Sequence, residues 1–259
     1  MLKQRSYRFF HFLAASAFLI MVIPLSAEES YWDPVTRDQA LAIIEASTAD
    51  MAPDLRERDF RGQNLSAMDF KGADLFYSHM RGVNLSNSNL ENASLNLTIM
   101  SGSNLDGANL HNAKMNNTEL GDASLRNADL SSAEFIAKAK GADLRGADLT
   151  ALRGGANMSN QSMGMLRTIL DYANLNDAKL ENADLAYCTM KFADLQGADL
   201  RGADLTWCDL SKTNFTGADL TAANLSDTKL TGTVFRDIKG RDMIKGLDTA
   251  RDLDQAVFD

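Results

Sequence analysis

The chain has 259 residues, and its 26 lysines and arginines against 35 aspartates and glutamates give a formal net charge of −9. This charge excludes generic nucleic-acid binding, which requires clustered positive charge. Hydrophobic residues make up 45% of the chain but aromatic residues only 7%, which fits neither a disordered chain nor an ordinary mixed globule.

The N-terminus has the layout of a secretory signal. Three basic residues precede an apolar run over 9–23, and Ala27 stands before two glutamates. This order predicts a signal peptide over 1–27 that is cleaved after Ala27, and therefore a periplasmic or otherwise extracytoplasmic protein. The alternative is an uncleaved membrane anchor, because Leu25 is a less suitable residue than alanine at the third position before the cut.

Residues 28–57 are predicted to form a helical cap. The segment that begins at Thr36 has the form of a capping box. An apolar stripe that includes Leu41 and Ile44 predicts a helix from there to about Ala49.

From residue 58 to residue 235 an apolar residue recurs at every fifth position, with one interruption. A small residue stands two places earlier in every such repeat from Ala73 to Thr233. A period of five matches neither the 3.6 of a helix nor the 2 of a strand. Each repeat has one large and one small inward position and cannot bury its own face, so the repeats must stack as a solenoid.

The repeat string Gly-Ala-Asp-Leu-Arg-Gly-Ala-Asp-Leu-Thr at 141–150 has a near copy over 197–206. It resembles the pentapeptide-repeat proteins, whose consensus is Ala-(Asp/Asn)-Leu-x-x, and the resemblance covers residues 58–235. It implies an all-β solenoid, a right-handed quadrilateral β-helix in which four repeats make one coil and the large residues fill the axis.

The five-residue spacing slips between Phe135 and Leu170, which predicts that residues 136–169 bulge out as one or two loops while the coil continues beneath. Residues 136–169 contain five basic and two acidic residues, for a net charge of +3 on an acidic chain. We interpret the basic residues as a mobile contact surface for an unknown protein partner, and a tolerated insertion without function is the alternative. They are Lys138, Lys140, Arg145, Arg153 and Arg167.

Two cysteines, Cys188 and Cys208, lie four repeats apart and both occupy the small inward position. The resemblance places them on the same face of adjacent coils, and in an oxidising compartment a disulfide between them is one expectation. Two unbridged small core residues are the other. Tyr187 and Trp207 precede the cysteines and are predicted to stack on the outer surface.

No catalytic residue, metal site or cofactor is predicted. His79 and His111 lack a sequence neighbour that would complete a metal pair or serve a nucleophile. Met158, Met163 and Met165 could bind Cu(I) through their thioether sulfurs. Because methionine also replaces leucine at repeat centres, core packing is the preferred interpretation.

Residues 236–259 are predicted to form a C-terminal cap. A second short helix is expected there from apolar residues at helical spacing, namely Leu247, Ala250, Leu253 and Val257. The alternative is that this segment, with Phe258, forms a homodimer.

Two functions are consistent with these features. The first is a non-enzymatic exported solenoid that acts as a structural scaffold or protein-binding module. The second is implied by the resemblance: some cytosolic pentapeptide-repeat proteins resemble B-DNA in width and charge and bind DNA gyrase. A chain retained in the cytoplasm would then be a DNA-mimicking topoisomerase-binding protein. Neither hypothesis involves direct nucleic-acid binding, and membrane contact is expected only if the N-terminal segment is uncleaved.

Overall fold

The computed structural model describes residues 32–48, 51–156 and 166–258. Its framework is a set of parallel β-bridges between residues in successive coils, which over most of the chain lie four repeats apart, as in Asn84 and Asn104. Four bridged positions in each coil build four ladders, which we call A, B, C and D in chain order. In one coil they are Asp184, Thr189, Asp194 and Asp199.

The five-residue period arises from three extended residues followed by a two-residue corner. In the repeat that begins at Ala198, Ala198 and Leu200 are fully buried, while Asp199 between them belongs to ladder D. The Asp199 carboxylate accepts a hydrogen bond from the Arg201 amide at 3.2 Å. Gly202 then takes the left-handed conformation with φ 67°, which turns the chain toward the next ladder at little steric cost.

The coils are held together along the axis by backbone hydrogen bonds. The Leu200 amide donates to the Asp219 carbonyl at 2.8 Å, and the Asp199 amide donates to the Ala178 carbonyl at 3.0 Å. Every coil therefore binds the one before it and the one after it. The large residue of almost every repeat is fully buried on the axis, as the sequence predicts.

The N-terminal cap consists of a strand and a helix. Strand β1 (Asp33–Pro34) pairs in parallel with β2 (Arg58–Asp59), and helix α1 spans Arg37–Glu45. The capping box at Thr36 is confirmed. Helix α1 ends at Glu45, earlier than the predicted end at about Ala49, and the Ser47 hydroxyl donates to the Ile44 carbonyl at 2.6 Å in the turn that follows.

The apolar stripe of α1 is narrower than predicted. Ala40 is fully buried, and Ile43 and Ile44 pack against the core. Leu41, which the stripe pattern places against the core, is exposed.

The predicted interruption over 136–169 is corrected by the structure, since the coil continues without a bulge through Gly154. Ala137 and Ala139 belong to a repeat that is one residue short, so Glu134 is bridged to Arg153 and not to Gly154. The extra residues are confined to the segment between Gly154 and Thr168, because Arg153 is bridged to Asp184 and not to Ala173.

Two repeats within residues 136–169 lack a large residue at the repeat centre, the inward position that follows the ladder residue. This explains why the five-residue period appears to be lost. Ala139 occupies one centre and Gly154 the other. In the second repeat the large and small positions are exchanged, because Leu152 is fully buried where other repeats place a small residue.

The predicted C-terminal α-helix is wrong. The chain instead adds one more coil, in which β4 (Val257–Phe258) pairs in parallel with β3 (Val234–Phe235). Two short 3-10 helices, Arg241–Met243 and Leu253–Gln255, lie at its corners. Its ladder residues are six apart, namely Lys239, Lys245, Arg251 and Val257.

The apolar residues of this last coil form two series with a spacing of six. Ile238, Ile244, Ala250 and Ala256 make up one series, and Leu247 and Leu253 the other, and all six pack against the core. Interleaved, the two series imitate the spacing of a helix. Phe258 stacks on Phe235 with ring centroids 5.0 Å apart, so the predicted homodimer contact would have to rely on the exposed Val257.

Among the described residues, no helix is both long enough and apolar enough to span a bilayer. The predicted signal peptide over 1–27 lies outside the described residues.

Candidate functional site

Large apolar side chains on the surface are gathered around ladder B. Of the ten that are exposed in the described residues, six lie at the two corners beside this ladder. Corner A–B, between ladders A and B, contributes Phe76, Leu97, Leu166 and Trp207, and corner B–C contributes Tyr172 and Phe192. Over residues 54–235 the corners on the opposite side contain no apolar side chain larger than alanine.

The exposed rings at corner B–C form a short column. Tyr172 and Phe192 are stacked, with ring centroids 4.8 Å apart and planes 4° apart. Lys140 Nζ lies 5.4 Å from the Tyr172 centroid, and Lys212 Nζ lies 5.0 Å from the Phe192 centroid. Each ammonium group interacts with the electron-rich face of its ring, so the column carries a cation at both ends.

The backbone of the corner explains why these rings point away from the core. Tyr172 and Phe192 have φ values of 63° and 60°, at the turn position that Gly82 and Gly102 occupy in earlier coils. A side chain at this position does not enter the axis, and the rings are 54% and 44% exposed. Bulky side chains are uncommon in the left-handed region, so folding does not favour aromatic residues here.

A second pair of stacked rings lies at corner A–B. Tyr187 and Trp207 have centroids 6.0 Å apart and planes 5° apart, which confirms the predicted stacking. The insertion leaves the coil at this same corner, where the Ala156 amide donates to the Ala186 carbonyl at 3.0 Å. We call the surface formed by the four rings of Tyr172, Phe192, Tyr187 and Trp207, with ladder B between them, the aromatic surface.

The five predicted basic residues do not form one mobile loop. Lys138 belongs to ladder B, Arg153 to ladder A, and Lys140 and Arg145 to the corners of regular coils. Only Arg167, at the end of the insertion, is outside the regular coil. Lys138, Lys140 and Arg167 therefore lie at or beside the aromatic surface, whereas Arg145 lies at corner C–D, on the other side of the solenoid.

Several of these basic residues are paired with acids of the chain itself. Arg145 is 2.6 Å from Asp143, and Lys138 is 2.5 Å from Glu119. Arg153 approaches Glu134 at 3.6 Å. In the described part of the chain, Lys140 and Arg167 make no ion pair within 4.0 Å, and their charges face solvent.

Two shallow depressions lie along ladder B, one across the ladder itself and one at corner B–C. One of about 440 Å³ lies toward the N-terminus and is lined by Tyr77, Arg81, Leu97, Ile99, Glu119 and Lys138, among others. A second of about 460 Å³ lies against the ring of Tyr172, with Lys140, Gly141, Gly121 and Asp122 around it. Both combine apolar lining with a lysine at the rim.

The N-terminal end of ladder B is covered by the cap. Trp32 Nε1 donates to the Tyr77 carbonyl at 2.7 Å, and its ring lies 4.7 Å from the ring of His79. Burial lowers the pKa of His79, so the imidazole is neutral near pH 7. This arrangement makes His79 part of the cap contact.

Cys188 and Cys208 are both buried free thiols, so the disulfide expected as one alternative is not formed in the structure. Cys208 Sγ donates to the Leu185 carbonyl at 2.9 Å. Thr118 makes the equivalent bond to the Leu95 carbonyl at 2.8 Å on the same inward column. The thiol therefore occupies a position that a hydroxyl fills in other coils, and burial raises the pKa of Cys208.

Among the described residues, no three His, Cys, Asp or Glu side chains are placed to hold a metal ion. His111 Nδ1 is hydrogen-bonded to Ser131 Oγ at 2.8 Å on the exposed surface. Met158, Met163 and Met165, the predicted thioether group, lie outside the described residues.

Asp-x-Arg pairs recur on the outer surface. Hydrogen bonds from Arg61 hold the pKa of Asp59 below its ordinary value, and Arg201 does the same for Asp199. In each pair the arginine two residues after the aspartate folds back onto it, with nitrogen to oxygen distances of 2.6 and 2.7 Å. Repetition of the corner geometry thus explains these shifts without any catalytic role.

The family model for pentapeptide repeats matches with eight copies, over residues 54–92, 78–117, 103–136, 170–202 and 198–237. No curated protein matches the chain.

Several solved structures are similar. The pentapeptide-repeat protein HetL from the cyanobacterium Nostoc sp. strain PCC 7120, involved in heterocyst differentiation regulation, is 27% identical, with 86% of this chain and 94% of that chain covered and a TM-score of 0.37. QnrB1, a plasmid-mediated fluoroquinolone resistance protein, is 22% identical in a trypsin-treated variant form, with 78% and 89% covered and a TM-score of 0.50. A pentapeptide-repeat protein of the Arabidopsis thaliana thylakoid lumen is 26% identical, with 60% and 69% covered and a TM-score of 0.16.

Proposed function

The chain belongs to the pentapeptide-repeat family, and on that premise we propose that it is an exported, non-enzymatic solenoid that acts as a scaffold or protein-binding module. Members of this family are generally structural or binding proteins. The coil is proposed to have the right-handed quadrilateral form of the family, which four ladders of parallel bridges in each coil support.

A rigid outer surface is the observation that carries the binding role. Each repeat buries two residues and leaves its ladder and corner side chains available, while the backbone is fixed by hydrogen bonds to both neighbouring coils. Side chains presented on such a framework lose little conformational entropy when a partner binds. Repeat solenoids commonly use their extended surfaces in this way.

Export is supported by the sequence of residues 1–27, and a cut after Ala27 is compatible with the fold. Trp32 is already part of the cap, through its hydrogen bond to the Tyr77 carbonyl. A cut after Ala27 would remove the basic and apolar segment and leave Trp32 and all later residues in the mature chain. Signal cleavage and folding are therefore compatible.

A fusion to alkaline phosphatase tests export. This reporter is active only after translocation, so residues 1–31 joined to it should give active enzyme in a Gram-negative host. The same fusion with Leu19→Arg, which places a charge within the apolar run, should be inactive. Equal and low activity from both fusions would contradict export.

A topoisomerase-binding DNA mimic is the second candidate function. Carboxylates on neighbouring coils favour it, since Asp199 is bridged to Asp219 and Asp184 to Asp204, and these columns resemble an array of anionic groups along a rod. It requires a chain that stays in the cytoplasm. Inhibition of gyrase supercoiling by the purified protein, together with full-length protein in the cytoplasm, would favour this candidate over the first.

A further inference from the structure

The aromatic surface is the most asymmetric feature of the solenoid, in charge as well as in apolar content. In the four coil segments around it, 137–142, 166–173, 186–193 and 206–213, there are five basic and two acidic residues, a net charge of +3. The opposite segments of the same coils, over 143–154, 174–185, 194–205 and 214–225, contain four basic and nine acidic residues, a net charge of −5. The chain as a whole has a net charge of −9.

We propose that the aromatic surface is the docking site for an acidic polypeptide segment of a partner protein that also carries apolar side chains. The inference rests on the proposed binding function and assigns it a surface and a class of partner. A positive surface on an acidic protein attracts an anionic partner at long range.

Apolar contacts would supply the affinity that charge alone does not. Large exposed aromatic side chains are enriched in protein interfaces and provide most of the binding energy when they are buried. Trp207, Tyr172 and Phe192 are between 44% and 54% exposed, so each has area left to bury. Their stacking partners already fix the rings, which lowers the entropy lost on docking.

The lysines beside the rings are placed to select carboxylates. Lys140 and Lys212 stand at the two ends of the Tyr172–Phe192 column. The depression of about 460 Å³ next to Tyr172 could take one apolar side chain, with Lys140 at its rim to meet a neighbouring carboxylate. Asp122, on the far side of that depression, would repel a carboxylate of the partner, so the partner's carboxylate is expected beside Lys140.

A second copy of this chain fits the surface poorly. Its acidic side would meet the positive charge, but over residues 54–235 the corners on that side contain no apolar side chain larger than alanine for the rings to pack against. The partner must therefore bring its own apolar residues. Self-association remains an outcome that the test below distinguishes.

Site-specific photo-cross-linking in the native cells tests the proposal. A photoactivatable phenylalanine analogue replaces Phe192, and a matched probe replaces Asn182, which has the same left-handed turn geometry at a corner on the acidic side, with φ 55°. We expect cross-links from position 192 to another protein, at a peptide that mass spectrometry shows to be rich in acidic and apolar residues. Position 182 should give few.

Charge reversal supplies the specificity control. The pair Lys140→Glu and Lys212→Glu should reduce the cross-linking yield from position 192 by roughly tenfold. The matched pair Lys179→Glu and Arg201→Glu, on the acidic side, should leave it unchanged. Both pairs alter exposed residues, so melting temperatures and circular dichroism should show that all variants fold.

Three results would overturn the proposal. They are cross-links from position 192 to this chain itself, cross-links to lipid or to a segment without acidic residues, and equal yields from positions 192 and 182. If position 182 alone captures a protein, the binding function stands and the surface assignment fails. If neither position captures anything, both the proposed surface and the proposed binding function fail.

Discussion

Phe235 and Phe258 stack face to face, with centroids 5.0 Å apart and planes 14° apart, although the coil that joins them is longer than a regular one. Phe215 lies 5.3 Å from Phe235 on the other side. Arg241 covers the outer face of Phe258, with its guanidinium carbon 4.5 Å from the ring centroid. The aromatic core thus continues into the last coil and ends under a charged side chain.

Replacing Phe258 should loosen this end of the solenoid. Because the ring is partly buried, Phe258→Ala is expected to lower the free energy of unfolding by about 1–3 kcal/mol. Urea denaturation followed by circular dichroism measures the change. Val257→Ala, which shortens an exposed side chain of the same strand, should cost less than about 0.5 kcal/mol. Equal effects of both substitutions would contradict the assigned packing.

Gly154→Leu restores the large residue of the family consensus at the repeat centre that Gly154 occupies, and we expect it to destabilise the protein. A side chain added at Gly154 would meet Leu185 and Thr168 at 3.0 Å and the Phe135 carbonyl at 3.2 Å. Gly154→Leu is therefore expected to cost more than about 2 kcal/mol through overpacking.

The exchange of large and small positions can be tested directly with a double variant. Leu152→Ala alone should cost about 2–5 kcal/mol through the cavity it leaves. Combining Leu152→Ala with Gly154→Leu restores a small residue before the ladder residue and a large residue after it. The double variant should therefore be more stable than the sum of the two single effects predicts. Strict additivity in urea denaturation would contradict the exchange.

Stability should fall as the pH drops below about 4. The pKa values of Asp59 and Asp199 are depressed in the folded state by hydrogen bonds from Arg61 and Arg201. A carboxyl group with a depressed folded-state pKa contributes stability above its unfolded value of about 3.9, and this stability is lost as the pH falls toward the folded value.

Removing one arginine isolates this contribution. Arg201→Gln should reduce the loss of thermal stability between pH 5 and pH 3, because Asp199 then titrates closer to its unfolded value. The exposed position limits the effect to a small change in melting temperature. A variant with the same or a steeper pH dependence than the wild type would show that the pair does not act in this way.

The two cysteines should react with iodoacetamide only after unfolding. Both thiols are buried, and burial raises the pKa of Cys208, so little thiolate is present near pH 7. Intact mass should show no modification of the native protein and two modifications in guanidinium chloride without reductant. Failure to modify the denatured protein unless reductant is added would establish a disulfide instead.

The cysteines can also be compared with the residues they replace. Cys208→Ser keeps a donor for the Leu185 carbonyl, whereas Cys208→Ala removes it. Leaving a buried carbonyl without its side-chain donor is expected to make the alanine variant about 1 kcal/mol less stable than the serine variant.

Features set by local sequence were predictable. The capping box at Thr36 depends on side chains three residues apart, and the stacking of Tyr187 and Trp207 follows from a spacing of one coil. In both cases the residues that make the contact also make the pattern. The repeat itself is predictable for the same reason.

The five-residue pattern could not predict the parts of the fold where its large residue is missing or its spacing changes. Ala139 and Gly154 occupy repeat centres without a large side chain. A search for large apolar residues at every fifth position therefore predicts a loop where the structure has regular coil. In the C-terminal coil, two series with a spacing of six produce apolar residues three apart, such as Leu247 and Ala250, and imitate a helix. Backbone pairing, which the sequence does not display, decides both cases.

The aromatic surface can be recognised in the sequence from pairs of aromatic residues that are one coil apart. Tyr187 and Trp207 are one of its two pairs. Tyr172 and Phe192 have the same spacing of one coil and the same turn position. Sorting the corner residues of 54–235 by ladder shows that large apolar residues there are confined to two of the four corners. The basic residues Lys138 and Lys140 then join this surface because the coil continues through them.

Export can be decided by the intact mass of the native protein after its own cells are separated into periplasmic and cytoplasmic fractions. We expect a periplasmic species whose mass corresponds to a chain that begins at Glu28, with two free cysteines. A full-length cytoplasmic species would contradict export and would favour the topoisomerase-binding function.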